Sequence, residues 1–126
     1  MTISQGEKIR RQVMGDEFVE QALAKSDSFT GPMQSYINEH GWGSTWQRGG
    51  IDLKTRSLIT IAMLTALKAP TELTGHIRGA LRNGASKEEI QEVLLHSAVY
   101  CGAPAAQEAF RAAKAFFDNQ DNQGGN

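Results

Sequence analysis

Residues 70–84 read Pro70-Thr71-Glu72-Leu73-Thr74-Gly75-His76-Ile77-Arg78-Gly79-Ala80-Leu81-Arg82-Asn83-Gly84. Proline at the first position of a helix sacrifices no hydrogen bond, and a glycine after the last turn is a common stop. The stretch is therefore predicted to be one helix. On it, Glu72 and His76 stack one turn apart on one face. A carboxylate beside an imidazole holds the ring's tautomer and favours its charged form, which suits proton transfer near neutral pH. Gly75 and Gly79 share one side of this helix and cost it stability, which implies close approach of another backbone or of a substrate. The same spacing also fits a polar helix edge, with Glu72 capping and His76 at the surface.

Helical punctuation continues on both sides. C-terminally, Ser86 with Glu89 forms a capping box. It opens a helix whose Ile90, Val93, Leu94, Ala98 and Cys101 make a core stripe, so Cys101 is expected to be a small buried hydrophobe rather than a nucleophile. Gly102 ends that helix, and Pro104 begins a last one to about Phe117, with residues 118–126 expected to be a flexible tail. N-terminally, Asp52 caps a helix over 53–68 that is apolar on nearly all sides, which argues for burial between subunits as well as within one. Before it, Pro32 starts a helix to about His40 that Gly41 ends, followed by a short aromatic segment from Trp42 to a glycine pair, Gly49-Gly50. Ser4 with Glu7 opens a first helix stopped by Gly15, Asp16 caps a second over 17–25, and 26–31 is a turn. No period-two pattern appears. The expectation is an all-α fold, one domain over 1–117.

Composition removes several function classes. Thirteen basic residues against fourteen acidic ones give a net charge of −1, with no excess to attract nucleic acid or an anionic membrane. The longest apolar run, 58–67, is too short to span a bilayer, and no signal-peptide layout opens the chain, so a cytoplasmic location is expected. A single cysteine excludes CxxC chemistry, and three scattered histidines make no metal motif. His96 has its own carboxylate neighbour, Glu92, but its helix leaves it at the surface or in an oligomer contact; His40, before a helix-ending glycine, reads as structural. Arg48 in the aromatic loop and Arg56 near the start of the long helix are candidate carboxylate anchors, though Arg56 also fits an ion pair with Asp52. Arg78 lies roughly 200° around the helix from His76 and belongs to solvent or a subunit contact.

Four separated segments carry a resemblance. Ile51-Asp52-Leu53-Lys54-Thr55-Arg56-Ser57-Leu58-Ile59-Thr60, then the stretch from Glu72 to Gly84, then Glu89-Ile90-Gln91-Glu92-Val93-Leu94-Leu95, then Ala98-Val99-Tyr100-Cys101-Gly102-Ala103-Pro104-Ala105-Ala106 resemble the carboxymuconolactone decarboxylase family. Arg10-Arg11-Gln12-Val13-Met14-Gly15-Asp16 and the segment from Trp42 to Arg48 extend the likeness over nearly the whole chain to about Phe117. The resemblance implies an alkylhydroperoxidase D-like helical subunit in a ring-shaped homohexamer, without cofactor or metal. It implies decarboxylation of 4-carboxymuconolactone to β-ketoadipate enol-lactone in protocatechuate catabolism. Members that reduce peroxide carry a CxxC where this chain has Thr74 and Gly75 before His76, which excludes that chemistry here. In the implied reaction His76 donates the proton, Glu72 orients it, Arg48 and Arg56 hold carboxylates, and Tyr100 is available to an oxyanion. A lactone hydrolase or isomerase on the same scaffold, and a non-catalytic helical binding or scaffold oligomer, are the alternatives.

Overall fold

The computed structural model describes residues 4–124 (side chains of 4–122) and contains seven α-helices and one π-helix, with no strand among the described residues. The protein is all-α. Its chain divides into two compact units, Met1–Arg56 and Ser57–Asn126.

The first unit contains α1 (Gln5–Met14), α2 (Asp16–Ala24), α3 (Gly31–Tyr36), the π-helix (Ile37–Trp46) and the first turn of α4 (Leu53–Ala66). Ser4 caps α1, its Oγ accepting the Glu7 N–H at 3.1 Å, and Gly15 at φ +94° ends it. Gly15 is also the residue from which α2 departs, so Asp16 sits inside the first turn, where an anion complements the helix dipole, rather than capping it. The turn at 26–31 is held by Asp27 Oδ1, which accepts the N–H groups of Phe29 and Thr30 at 3.0 and 2.9 Å.

The helix begun near Pro32 does not stop at Gly41. It widens into i→i+5 geometry and runs to Trp46. Ser44 Oγ and Thr45 Oγ1 donate back to the carbonyls of Glu39 and His40, each at 3.1 Å, so the widened turns keep partners that a glycine stop would have released. Trp42, 5% exposed, is drawn into a core with Val13, Met14 and Val19. α1 crosses the π-helix closely: a Cβ on Gly6 would lie 1.7 Å from the Asn38 carbonyl oxygen.

The second unit holds the rest of α4, α5 (Pro70–Arg82), α6 (Lys87–Cys101) and α7 (Ala103–Gly124). Its core joins Ile61 of α4, Leu73, Ile77 and Ala80 of α5, Ile90 and Leu94 of α6, and Ala109, Ala113 and Phe117 of α7. Each large aliphatic side chain so buried contributes about 1.5–3 kcal/mol. Ser86 and Glu89 form the predicted capping box in both directions, at 3.0 and 2.9 Å. Gly84 and Gly102, at φ +95° and +96°, follow the ends of α5 and α6. α7 runs on past Phe117 to Gly124, with Lys114 paired to Asp118 one turn later at 2.8 Å.

α4 buries only part of its apolar surface within the chain. It is fully buried only along Ser57, Ile61 and Thr65, while Ile59 and Met63, and Leu67 one residue past its end, are exposed at 40, 59 and 73%. Those three recur every fourth residue and form an uncovered apolar stripe.

Candidate active site

α5 carries the two candidate residues Glu72 and His76. Leu73, Gly75, Ile77, Gly79 and Ala80 are buried, which fixes the helix's rotation. That rotation leaves Glu72 exposed in the first turn and His76 half-buried one turn on, with its Nδ1 enclosed. The imidazole therefore spans the boundary between core and surface, while the carboxylate meets solvent. Burial of Gly75 and Gly79 accounts for the absence of side chains there. Arg78 is half-buried with Nη2 enclosed, rather than lying in solvent.

The two candidate anchors meet within the first unit. Arg48 follows the π-helix with an exposed side chain, and Arg56 sits half-buried in the first turn of α4. Arg56 Nη2 donates to the Arg48 carbonyl oxygen at 3.1 Å. Asp52 serves as the helix cap: its Oδ1 accepts the Thr55 N–H at 2.8 Å, and hydrogen bonds from Thr55 hold its carboxyl below the usual range. The arginine pair thus brackets the start of α4, with the Arg48 guanidinium directed to solvent.

Tyr100 lies on α6, 77% exposed, its ring 5.1 Å from that of His96, which is exposed too. His40 is exposed and packs against Tyr36 at 4.8 Å. Cys101, placed on a core stripe by the sequence reading, is exposed at the last residue of α6. The stripe ends at Ser97, because α6 turns its final residues outward before Gly102. Cys101→Ala is accordingly expected to leave both turnover (within a few-fold) and the thermal midpoint unchanged. Loss of activity in the folded variant would restore thiol chemistry to consideration.

One residue that sequence reading passed over is Arg10, 5% exposed inside the first unit. Its signal was available: Gly6, Arg10 and Val13 recur at helical spacing, so an arginine occupies the inward stripe of α1. Among the described residues no group of three or more His, Cys, Asp or Glu side chains is placed to hold a metal ion, and no helix is long and apolar enough to cross a membrane.

Residues 32–115 match the model of the carboxymuconolactone decarboxylase family. Over 105 residues (83% of this chain and 73% of the relative) the sequence is 49% identical to nitrosuccinic acid decarboxylase of Metarhizium robertsii. Over 113 residues (90% and 84%) it is 38% identical to 4-carboxymuconolactone decarboxylase of Acinetobacter baylyi.

Proposed function

The chain belongs to the carboxymuconolactone decarboxylase family, and on that premise we propose that it decarboxylates a substituted succinate whose substituent serves as the electron sink. The supporting observation is its similarity to two decarboxylases whose named substrates share one skeleton. In 4-carboxymuconolactone the γ-carbon of a butenolide carries a carboxylate and an acetate arm. In nitrosuccinic acid the carbon bearing the nitro group carries a carboxylate and the same arm. Either substrate takes up the electron pair itself, so neither requires a pyridoxal- or thiamine-type sink.

With the lactone, the bond to the carboxylate breaks and CO₂ departs. The electron pair delocalises through the ring alkene onto the lactone carbonyl oxygen, giving a furanolate. A proton then returns to the carbon next to the carbonyl, forming β-ketoadipate enol-lactone. With the nitro compound the pair moves onto the nitro oxygens, and protonation of carbon gives 3-nitropropanoate. His76 is the proposed proton donor and Glu72 the group that orients it, on the grounds of their one-turn spacing and the half-burial of the imidazole. Arg48 and Arg56 are the proposed carboxylate anchors, and Tyr100 a proposed oxyanion donor. The acetate arm should be held more tightly than the departing carboxylate, because ground-state binding of the latter opposes its loss.

Incubation with each substrate and detection of CO₂ tests this reading. 4-Carboxymuconolactone is the first candidate; the 49% identity to a nitrosuccinic acid decarboxylase favours nitrosuccinate as the second. CO₂ from neither, or lactone opened with its carboxylate carbon retained, excludes the decarboxylase assignment.

The functional form is proposed to be a homo-oligomer, with a hexameric ring the expected size. The uncovered stripe of Ile59, Met63 and Leu67 supports this, since exposed apolar side chains aligned on one helix gain from burial against another copy. Sedimentation equilibrium should give a mass well above the 13.7 kDa of one chain; a concentration-independent monomer mass would remove the proposal.

A further inference from the structure

Two adjacent arginines of α1 occupy opposite surroundings. Arg11 takes three carboxylates: Glu7 at 2.9 Å on Nε, Asp16 at 3.4 Å on Nη1 and Glu20 at 2.7 Å on Nη2. Those hydrogen bonds raise its pKa. Arg10 takes none. Its Nη1 donates to two neutral amide oxygens, Gln34 Oε1 and Asn38 Oδ1, each at 3.0 Å, and the Phe18 ring lies 5.9 Å from the guanidinium carbon. Nε is enclosed and makes no hydrogen bond to a described residue, and none is made from Nη2.

Amides satisfy hydrogen bonds without neutralising charge. Burial lowers the Arg10 pKa, and among the described residues the compensating charge is Glu7, acting through space. A cation taken out of water without an anion is costly. Here both amides converge on one nitrogen, which fixes the guanidinium plane and leaves the opposite edge, Nε with Nη2, uncommitted. That edge matches the two oxygens of a carboxylate in a bidentate pair.

We propose that the Nε–Nη2 edge of Arg10 is a carboxylate-binding site that takes one end of a small dicarboxylate of the succinate class. Because Nε is enclosed, a carboxylate pairs with both nitrogens only as neighbouring side chains shift, and the part of the pair at Nε is then shielded from water, where such an interaction is strongest. The choice of a dicarboxylate rests on the decarboxylase reading; the carboxylate chemistry of the edge does not.

The probe is succinate, which lacks an electron sink and is not turned over, so binding is judged apart from decarboxylation. In ¹⁵N-labelled wild-type protein at constant ionic strength, the Arg10 Nε–H signal is expected to shift saturably with succinate. The signal of exposed Arg111 should stay still, and neutral succinamide should move neither. Arg10→Met is expected to weaken succinate binding by at least about tenfold, the loss of a charge-assisted hydrogen bond. An Arg10 signal that does not move, or moves no more than that of Arg111, overturns the proposal. So does a folded Arg10→Met protein that binds succinate as tightly as wild type. If that variant does not fold, the wild-type titration decides alone.

Discussion

Replacing His76 by Gln is expected to lower kcat by at least ~10²-fold, the lower bound for losing a positioned general acid. Glutamine keeps the volume and a hydrogen-bonding end but cannot carry the proton. Glu72→Gln is expected to cost a similar factor, because the imidazole loses the group proposed to orient it. The diagnostic is the double variant. Residues that act as one unit lose rate non-additively, so Glu72→Gln/His76→Gln should be little slower than His76→Gln alone. Because Leu73 and Ile77 of the same helix lie in the core, each variant must first match the wild type in sedimentation and circular dichroism. A folded His76→Gln enzyme within about tenfold of wild type on a true substrate would falsify the assignment and move attention to Tyr100 and His96. Additive losses would mean that the two side chains work separately.

Gly6→Ala is expected to be the most damaging single-methyl change in the first unit. Alanine normally stabilises a helix by ~0.8–1.0 kcal/mol over glycine. Here the added Cβ would lie 1.7 Å from the Asn38 carbonyl oxygen and 2.8 Å from its carbon, both backbone atoms that cannot rotate away. Relief requires α1 to move off the π-helix, opening the core of Val13, Met14, Val19 and Trp42. The overlap outweighs the propensity gain, and the loss should reach or exceed the ~1–3 kcal/mol of ordinary overpacking. Gly31→Ala is the control, since its Cβ would meet only Ser26 Oγ at 3.7 Å. Urea midpoints followed by tryptophan fluorescence, at one protein concentration, measure both. A Gly6→Ala midpoint equal to that of the wild type would show that α1 does not approach the π-helix as closely as described.

The parts of this fold that were legible in the sequence are those set by local chemistry. Ser4, Asp52 and the Ser86–Glu89 pair announce helix starts because their side chains cap backbone N–H groups within three residues. Gly15, Gly84 and Gly102 announce stops because each adopts a positive φ. What local rules could not reach was tertiary. Gly41 and Gly43 look like helix breakers, yet Trp42 between them is buried and the helix passes through. The apolar run of α4 shows no single inward face, so periodicity could not separate Ile61, which is buried, from Met63, which is not. Cys101 extends an apolar period in the sequence, but α6 leaves the core one turn earlier. At the candidate site, the Glu72–His76 spacing was visible from the sequence; the unequal exposure of the two side chains depends on which face of α5 meets the core. Arg10 was masked by its own type, since a charged residue is assigned to the surface before its register is considered.

The π-helix carries a consequence for how this chain tolerates insertion and deletion. Its bonds close over one residue more than those of an α-helix, so removing a single codon within 37–46 would let one turn of the ladder return to ordinary spacing. Because a widened turn spreads one more residue over the same full turn, the residues before the deletion would keep nearly their present bearing relative to those after it, where a deletion from an α-helix would turn them by about 100°. Gln34 and Asn38, which hold Arg10, lie at or before the segment's second residue; Trp42 and Trp46 lie beyond. Loss of one residue is therefore expected to disturb the contacts on either side of this segment less than the same loss from an α-helix.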